Sequence, residues 1–203
     1  MSRRIELRLR AFWLRTGHRE RLTALLAERI PQLHGLVLDV GGGRDAPHDD
    51  AWPAEVRRLR IDVSPTHRPD VMGDAGHLPV RDGSVDAVTM FEVLEHVPNP
   101  WTAIEEAGHV LREGGTLLGS APLVWPIHGD PHDYFRFTDA GIRALLHGFE
   151  DVRLVPIGNH YSAAWIVVTA RSKVARLLNP AMRRVGRRAD PRCPEGYVFS
   201  ARR

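Results

Sequence analysis

Short runs of apolar residues alternate along the chain with longer stretches in which apolar positions recur every three or four residues. The short runs are typical of buried β-strands, and the recurring spacing is typical of amphipathic helices. This alternation predicts an α/β domain with a doubly wound, mostly parallel sheet. The expected strands lie near 36–40, 58–62, 69–72, 85–90, 115–120 and 151–156, and the expected helices near 47–55, 101–111 and 138–147.

Residues 1–30 predict one or two amphipathic helices that precede this domain. The first spans 4–15 and the second 18–30, and Pro31 ends the second because proline cannot continue a helix. The apolar stripes comprise Ile5, Leu9, Phe12 and Trp13 in the first helix and Leu22, Leu25, Leu26 and Ile30 in the second. We therefore divide the chain into a helical extension and a main domain over 31–203.

The apolar run 37–40 leads directly into three glycines at 41–43. Glycine lacks the Cβ that would keep a ligand away from the backbone or forbid a positive φ, so this turn predicts ligand binding at the carboxyl end of the first strand. We expect that ligand to carry a nucleoside. The glycines leave two cofactor classes open, because Gly41-x-Gly43-x-x-Ala46 also fits the looser dinucleotide fingerprint and Asp62 follows about 20 residues later.

The segment after the glycine turn carries three more motifs. Asp62 ends the second expected strand, Asp74-Ala75 follows the third, and the fourth runs into Leu94-Glu95-His96-Val97. This order of motifs, from about residue 37 to residue 120, resembles the class I S-adenosylmethionine-dependent methyltransferases. The resemblance implies S-adenosylmethionine as the cofactor and a Rossmann-like sheet of seven strands, the last of them antiparallel.

The chemistry of this cofactor gives each matching residue a task. The Asp62 carboxylate can accept hydrogen bonds from two ribose hydroxyls, Asp74 can accept from the adenine amino group, and the Ala75 amide can donate to a ring nitrogen. Asp39 is expected to hold the ammonium of the amino-acid tail, with the glycines leaving room for that tail. The expected cofactor-binding residues are Asp39, Gly41, Gly42, Gly43, Asp62, Val63, Asp74, Ala75, and Met90 and Phe91 near the transferred methyl.

Two β-prone segments compete for the last strand, at 165–169 and 197–201. The family ends with an antiparallel strand, and Pro194-Glu195-Gly196 makes a natural turn into the second segment, so we assign the last strand to 197–201. Residues 160–188 are then a basic helical insertion before that strand.

The loop 121–138 concentrates aromatic and titratable side chains at the expected mouth of the cofactor site. We expect it to bind the methyl acceptor, with His132 or Asp133 taking a proton from a hydroxyl nucleophile. The expected substrate-binding residues are His128, Tyr134 and Arg136. The run Asp-Tyr-Phe-Arg-Phe-Thr resembles a methyltransferase subgroup associated with cell-surface polysaccharide or glycolipid synthesis. A structural alternative makes Arg136 a buried ion-pair partner and Thr138 a helix cap.

The net charge of +3 conceals an uneven distribution. Residues 1–30 carry eight arginines against three acids, residues 171–203 carry ten basic side chains against two acids, and residues 31–170 carry ten basic side chains against twenty acids. An acidic core suits a cationic sulfonium better than a nucleic acid, so no nucleic-acid partner is expected. The basic flanks predict either packing against the core or peripheral association with an anionic membrane.

The cysteine count and the spacing of the histidines and carboxylates limit which disulfides and metal sites the chain can form. The single cysteine, Cys193, excludes an intramolecular disulfide and a thiolate cluster and suits a reducing cytoplasm. No run approaches the ~20 apolar residues that span a bilayer, so we expect a cytoplasmic protein, at most peripheral at the inner membrane face. The histidines and carboxylates at 128–133 and 48–50 have no fixed ligand spacing, and no metal site is expected.

These observations predict an S-adenosylmethionine-dependent methyltransferase that acts on a hydroxyl of a small molecule, glycan or lipid-linked sugar. In-line methyl transfer depends mainly on alignment of the reacting atoms and exclusion of water. Two alternatives stay open. A nicotinamide-dependent oxidoreductase would share the glycine turn but gives no reason for Asp74-Ala75, and a noncatalytic S-adenosylmethionine-binding protein would keep the fold without turnover.

Overall fold

The computed structural model of the chain describes residues 17–44, 46–129, 132–171 and 188–203. The strands are β1 (Leu36–Val40), β2 (Arg57–Asp62), β3 (Val71–Met72), β4 (Val85–Phe91), β5 (Leu111–Pro122), β6 (Glu150–Ile157) and β7 (Gly196–Arg202). The helices of the described residues are α1 (Gly17–Ala27), α2 (Pro100–Val110), α3 (Asp139–Leu145) and α4 (His160–Arg171). Strands and helices alternate from β4 to β7, as the apolar pattern predicts, whereas the described residues between β1 and β4 contain no α-helix.

The strands form one seven-stranded sheet in the order β3-β2-β1-β4-β5-β7-β6. The pairs among β1 to β5 are parallel, whereas β7 runs antiparallel to both β5 and β6. This is the Rossmann-like arrangement expected from the sequence, with the last strand where Tyr197–Ala201 was predicted. The competing segment 165–169 lies inside α4.

Local signals account for where the helices begin. Asn99 caps α2 by accepting a hydrogen bond from the Thr102 amide, and Pro100 occupies the first turn, where a missing N–H costs nothing. Thr138 caps α3 by accepting from the Gly141 amide, as predicted for this residue. The face of α2 that is buried against the sheet comprises Ala103, Ile104, Ala107 and Val110.

The prediction of a helix over 47–55 is wrong. This stretch contains only a single 3-10 turn, Asp49–Ala51. Pro47 and Pro53 bracket it, and neither proline can supply an amide to a longer helix. The Asp49 carboxylate also accepts a hydrogen bond from the Ala46 amide at 2.8 Å, which stabilises a local turn instead.

The flanking segments are described in part. The second N-terminal helix is confirmed as α1, and a 3-10 turn over Ile30–Gln32 contains Pro31. The first predicted helix, at 4–15, lies outside the described residues. Within the predicted insertion 160–188, α4 and residue 188 are described and the stretch 172–187 is not. No helix among the described residues is long and apolar enough to cross a bilayer.

Apolar side chains pack on the sheet in two buried clusters. The larger contains the α2 and α3 side chains, and the smaller joins α1 to Val37, Ala87 and Leu118 from three neighbouring strands. β1 lies between β2 and β4, so the chain order reverses on its two sides. In open α/β sheets, ligands bind outside the carboxyl ends of the strands at such a reversal.

Candidate functional site

A cavity of about 420 Å³ opens at the carboxyl ends of β1, β2 and β4. Its walls come from the glycine turn, the ends of β2 and β4, the loop after β3, and the loop 121–138. A smaller cavity of about 260 Å³ lies beside the first half of β5, among Arg29, Arg153 and Arg202, and contains none of the motif residues. The larger cavity therefore coincides with the site expected from the sequence.

Gly41 lies at the mouth of β1 in a conformation that favours glycine. Its φ is +71°, and its amide donates to the Ile61 carbonyl at 2.7 Å. A Cβ at this position would lie 2.4 Å from Cγ2 of Val93 on the opposite wall. Gly42 and Gly43 do not line the cavity. A Cβ on Gly42 would meet the Asp39 carboxylate, and one on Gly43 would lie 3.4 Å from Cβ of His67.

Asp62 ends β2 as a nearly buried carboxylate, with 8% of its surface exposed, on the cavity wall. Its Oδ1 accepts a hydrogen bond from the Ser64 amide at 2.7 Å, and its Oδ2 lies 3.0 Å from Nδ1 of His67. These contacts fix the side chain and use about half of the roughly four acceptor positions of a carboxylate. Val63, next along the chain, also lines the cavity and is half-exposed.

The loop after β3 supplies the adjacent wall. Asp74 and Ala75 both line the cavity, together with Gly73. Asp74 Oδ1 accepts a hydrogen bond from the Gly76 amide at 2.8 Å, and the Asp74 carbonyl accepts from the His77 amide. This tight turn holds the carboxylate beside the end of β2, where the sequence motifs predict the purine ring of a nucleoside.

Asp39 does not line the cavity, contrary to the sequence expectation. It is 1% exposed, and its Oδ2 accepts two hydrogen bonds from the Arg58 guanidinium at 2.6 and 2.9 Å. Its Oδ1 accepts from the Thr89 hydroxyl at 2.6 Å. Asp39 therefore links β1 to Arg58 of β2 and to Thr89 of β4 inside the sheet.

The end of β4 also differs from the expectation. Met90 is fully buried in the core, Phe91 packs edge-on against His48, and neither lines the cavity. The residues that do so are Glu92 and Val93, directly after the strand. A strand alternates its side chains between two faces, so the chain must leave the sheet before its side chains can turn toward a site at the sheet edge.

Glu92 is a site residue that the sequence reasoning missed. It is a non-glycine residue with φ of +54°, a conformation that costs on the order of 1–3 kcal/mol and often marks functional sites. Its amide donates to the Ser120 carbonyl and hydroxyl oxygens, both at 3.1 Å, and its Oε1 accepts from the Ser120 hydroxyl at 2.8 Å. The sequence signal that could have identified Glu92 is a charged residue directly after a buried strand.

An ion-pair network joins α1 to this wall. His18 Nδ1 lies 3.0 Å from Oε2 of Glu195, and its Nε2 lies 3.5 Å from Oε2 of Glu92. Arg21 also donates to the Glu195 carboxylate. Burial disfavours the charged imidazole, but the two carboxylates outweigh burial and raise the pKa of His18 to about 9. For Glu195, burial is likewise outweighed, and His18 and Arg21 lower the pKa of this carboxyl below its ordinary value. The N-terminal helix is thus held against the cavity by buried charges.

In the loop 121–138, Asp133 and Arg136 form a structural pair. Both Arg136 terminal nitrogens donate to the Asp133 carboxylate, and the guanidinium also donates to the carbonyls of Trp125 and Pro126. The Arg136 hydrogen bond holds the pKa of the Asp133 carboxyl well below its usual range. Neither side chain lines the cavity. The contacts of Arg136 are those of an ion-pair partner, as in the structural alternative, and the Asp133 carboxylate expected as a base is paired with Arg136 outside the cavity lining.

The other expected acceptor-binding residues do reach the cavity. His128, His132 and Tyr134 all line it, and each is exposed to solvent. The His132 and Tyr134 rings contact each other edge-on, with centroids 5.8 Å apart. Of the predicted histidine and carboxylate grouping at 128–133, Asp130 lies outside the described residues. The loop thus offers imidazole and phenol groups to the cavity.

Comparison with known proteins agrees with this geometry. Residues 38–119 match the family model described as a methyltransferase domain. The 27-O-demethylrifamycin SV methyltransferase of Amycolatopsis mediterranei is 34% identical over 140 residues, which cover 60% of this chain and 52% of that protein. A ubiquinone biosynthesis O-methyltransferase of Xanthomonas campestris is 36% identical over 82 residues, covering 40% of this chain and 29% of that protein.

A solved structure of an S-adenosylmethionine-dependent methyltransferase from Archaeoglobus fulgidus shares the fold, with a TM-score of 0.63 and 18% identity over 91% of this chain and 94% of that one. The chain spans about half or less of the length of the two curated relatives named above. The family match covers β1 through most of β5, which includes the glycine turn, Asp62 and Asp74. Residues 38–119 therefore match a methyltransferase domain, in a chain that shares its fold with an S-adenosylmethionine-dependent methyltransferase.

Proposed function

We propose that this chain transfers the methyl group of S-adenosylmethionine to a hydroxyl oxygen of an organic acceptor. The observation that carries the proposal is the meeting of Gly41, Asp62 and Asp74-Ala75 on the walls of one 420 Å³ cavity. These residues come from three different strand ends, and each suits a different part of an adenosyl group. A nicotinamide enzyme would use the glycine turn and Asp62 but has no task for Asp74-Ala75.

The residues present fit this cofactor. Asp62 can accept from the two ribose hydroxyls, Asp74 from the adenine amino group, and the Ala75 amide can donate to the ring. Gly41 brings its backbone to the cavity wall, and its missing Cβ makes room for the Val93 side chain beside it. The cavity walls carry Asp62, Asp74 and Glu92 and, among the described residues, no lysine or arginine, which favours a cationic ligand. Glu92 lines the cavity, whereas Asp39 does not, so Glu92 is our candidate for the ammonium.

The cofactor supplies an activated methyl group, so the protein has to hold the acceptor in line with it and exclude water. We assign acceptor binding to His128 and Tyr134, which face the cavity from the loop 121–138. We assign proton removal from the acceptor hydroxyl to His132, because the other expected base, Asp133, is paired with Arg136. An imidazole is a suitable base near neutral pH.

The rim of the cavity supports an acceptor with an apolar portion. Val63 and Tyr134 line the cavity and are 52% and 48% exposed, and Met72, just before the Asp74 loop, is 51% exposed. Ile127, beside His128, is 92% exposed. Apolar side chains grouped around an opening often mark a binding site. A small aromatic molecule or a lipid-linked sugar fits this rim better than a bare polysaccharide, and the two curated relatives described above are named for small-molecule methylation.

The test is methyl transfer from S-adenosylmethionine labelled in its methyl group, with small phenolic compounds and extracted lipid-linked sugars as separate acceptor pools. We expect a labelled product whose methyl is bound to oxygen, and we expect His132→Ala to slow its formation by about 100-fold or more, the usual scale for a general base. Matched His147→Ala, at an exposed position after α3, should retain activity. Donor binding without any labelled product would favour the noncatalytic alternative, and reduction of NAD by the acceptor pools would favour the oxidoreductase.

We further propose that the basic flanks bring the enzyme to anionic membranes. On α4, Tyr161, Val167 and Val168 are more than half exposed, and the chain continues from α4 into the arginine-rich segment 171–188. An apolar helix face beside basic residues suits the surface of an anionic bilayer. Co-sedimentation should be stronger with vesicles that contain phosphatidylglycerol than with neutral vesicles, and Val167→Glu with Val168→Glu should abolish the difference. Equal recovery with both vesicle types would contradict the proposal.

A further inference from the structure

Three side chains with metal-binding groups meet beside the cavity. Glu95, His96 and His128 each offer one ligand atom, and these atoms lie within 4.8 Å of one another. Glu95 and His96 belong to the 3-10 turn Leu94–His96 after β4, and His128 belongs to the loop 121–138. Two separate segments of the chain therefore bring one carboxylate and two imidazoles together.

Glu95 lacks the partner that a buried carboxylate needs. It is 0% exposed, and neither carboxylate oxygen has a hydrogen-bond partner among the described residues. The nearby His96 Nε2 lies 3.9 Å from its Oε1, beyond hydrogen-bonding distance. An unpaired charge in such a place is costly, so the side chain binds either a proton or a cation.

The two histidines are oriented as metal ligands usually are. His96 Nδ1 is hydrogen-bonded to the His132 carbonyl oxygen, and His128 Nδ1 lies 3.2 Å from the Pro126 carbonyl and 3.3 Å from Oδ2 of Asp133. A carbonyl or carboxylate that accepts from Nδ1–H fixes the tautomer and leaves Nε2 as a lone-pair donor. In each ring, therefore, Nδ1 is engaged in a hydrogen bond and Nε2 is available to a metal ion.

The backbone clamps these segments to each other. The amides of Tyr134 and Phe135 both donate to the Glu95 carbonyl, at 2.7 and 3.3 Å. The His96 and His128 rings pack nearly perpendicular, with centroids 4.8 Å apart and planes at 82°. Metal ligands held on fixed backbone lose little freedom when they bind an ion, so this arrangement favours binding.

We infer that Glu95, His96 and His128 form a binding site for a divalent transition metal ion, with Zn²⁺ as the ion the donors suit best. Two imidazole nitrogens and one carboxylate oxygen match zinc sites, whereas Mg²⁺ and Ca²⁺ prefer oxygen ligands alone. Zinc–ligand bonds of about 2.0–2.1 Å separate tetrahedral ligands by roughly 3.4 Å, so the His96–Glu95 pair at 3.9 Å has to close only slightly.

The open coordination position would face the cavity, because His96 and His128 both line it. A metal ion there can coordinate an acceptor oxygen and lower the pKa of its hydroxyl. This catalytic consequence rests on the proposed methyl transfer, whereas metal binding itself does not. The site differs from the groupings 128–133 and 48–50 seen in the sequence, because Glu95 and His96 lie more than thirty residues from His128.

Metal binding to the full chain, without an affinity tag and stripped with a chelator, tests the inference directly. We expect one Zn²⁺ per chain in competition with a chromogenic chelator, and visible absorption bands of a nitrogen-ligated ion when Co²⁺ is added. His96→Ala, His128→Ala and Glu95→Gln should each weaken binding by at least about tenfold, since even outer partners of metal sites have effects of that size. His109→Ala is the matched control, because His109 is exposed and lies 3.5 Å from a glutamate, outside the cavity.

The inference is overturned if wild-type protein binds Zn²⁺ and Co²⁺ no better than the His96→Ala/His128→Ala double variant. It is equally overturned if Glu95→Gln keeps the wild-type affinity. Circular dichroism and thermal unfolding of the metal-free variants establish that each is folded, and Glu95→Gln should unfold at or above the wild-type temperature because it removes an unpaired buried acid. Metal binding is measured without S-adenosylmethionine. A failure of the methyl-transfer proposal would therefore not change the result of the metal-binding experiment.

Discussion

Replacing His18 with glutamine should destabilise the protein strongly at low pH and much less at high pH. Glutamine has no charge, so the variant loses the buried imidazolium that faces Glu195 and Glu92 and lies beside the Trp125 ring. Arg21 remains as a cationic partner of Glu195 in both proteins. The difference between the two proteins therefore isolates the charge on His18.

The size of the pH effect follows from the pKa of His18. Its pKa is about 9 in the folded protein and about 6.5 in the unfolded chain, because the carboxylates outweigh burial. A folded-state pKa above the unfolded value gives stability that is complete below pH 6.5 and is lost as the pH rises through 9. A difference of roughly 2.5 pKa units corresponds to about 3 kcal/mol. The residue is only 3% exposed, so solvent screening reduces this value little.

The assay is denaturant unfolding of wild type and His18→Gln at pH 6, 8 and 10, at constant ionic strength and without ligand. The loss of unfolding free energy caused by the substitution should be about 3 kcal/mol larger at pH 6 than at pH 10. His147→Gln, at an exposed position, should change stability by less than about 0.5 kcal/mol at every pH. A His18→Gln penalty that is the same at pH 6 and pH 10 would refute a charged, ion-paired His18.

Three further substitutions test the walls of the cavity and the loop. Asp62→Asn should weaken binding of S-adenosylmethionine by about 10- to 100-fold in calorimetry, because hydrogen bonds to a charged acceptor contribute about 1.5–3 kcal/mol; unchanged affinity would contradict the ribose role. Gly41→Ala should abolish donor binding and lower the melting temperature in a thermal-shift assay, because its φ of +71° disfavours a Cβ and the opposite wall leaves no room for one; full binding would contradict this reading. Asp133→Asn should cost about 3 kcal/mol in denaturant unfolding because it leaves Arg136 unpaired in the loop, whereas Asp139→Asn, in an exposed pair, should cost less than about 1 kcal/mol; equal costs would contradict a structural Asp133–Arg136 pair.

The sheet and the position of the cavity could be predicted because they depend on local patterns. The run 37–40 before three glycines indicates both a buried strand and a ligand turn, and Asp62 and Asp74 follow at family spacing. Both acids line the cavity. The turn at Pro194-Glu195-Gly196 also indicated the last strand. Such signals lie within a few residues of the feature they specify, so no knowledge of the tertiary structure is needed.

The contacts that could not be predicted join residues far apart in sequence. His18 and Glu195 are separated by 177 positions, and Thr89 reaches Asp39 across 50. Whether an aspartate near the end of a strand faces a cavity or a buried arginine depends on such partners, and for this reason the position of Asp39 could not be predicted from the sequence. Local patterns also give no sign that the backbone of Glu92 is left-handed, since residues other than glycine uncommonly adopt a positive φ.

Titration calorimetry with S-adenosylhomocysteine, the demethylated product of the donor, tests the central claim most directly. The product carries the ribose, the adenine and the amino-acid tail, so it should engage Asp62, Asp74 and the Gly41 turn. We predict binding of one molecule per chain in wild type, no measurable heat in Gly41→Ala, and no binding of NAD to either protein. Folded wild-type protein that shows no heat with S-adenosylhomocysteine or S-adenosylmethionine would contradict the account.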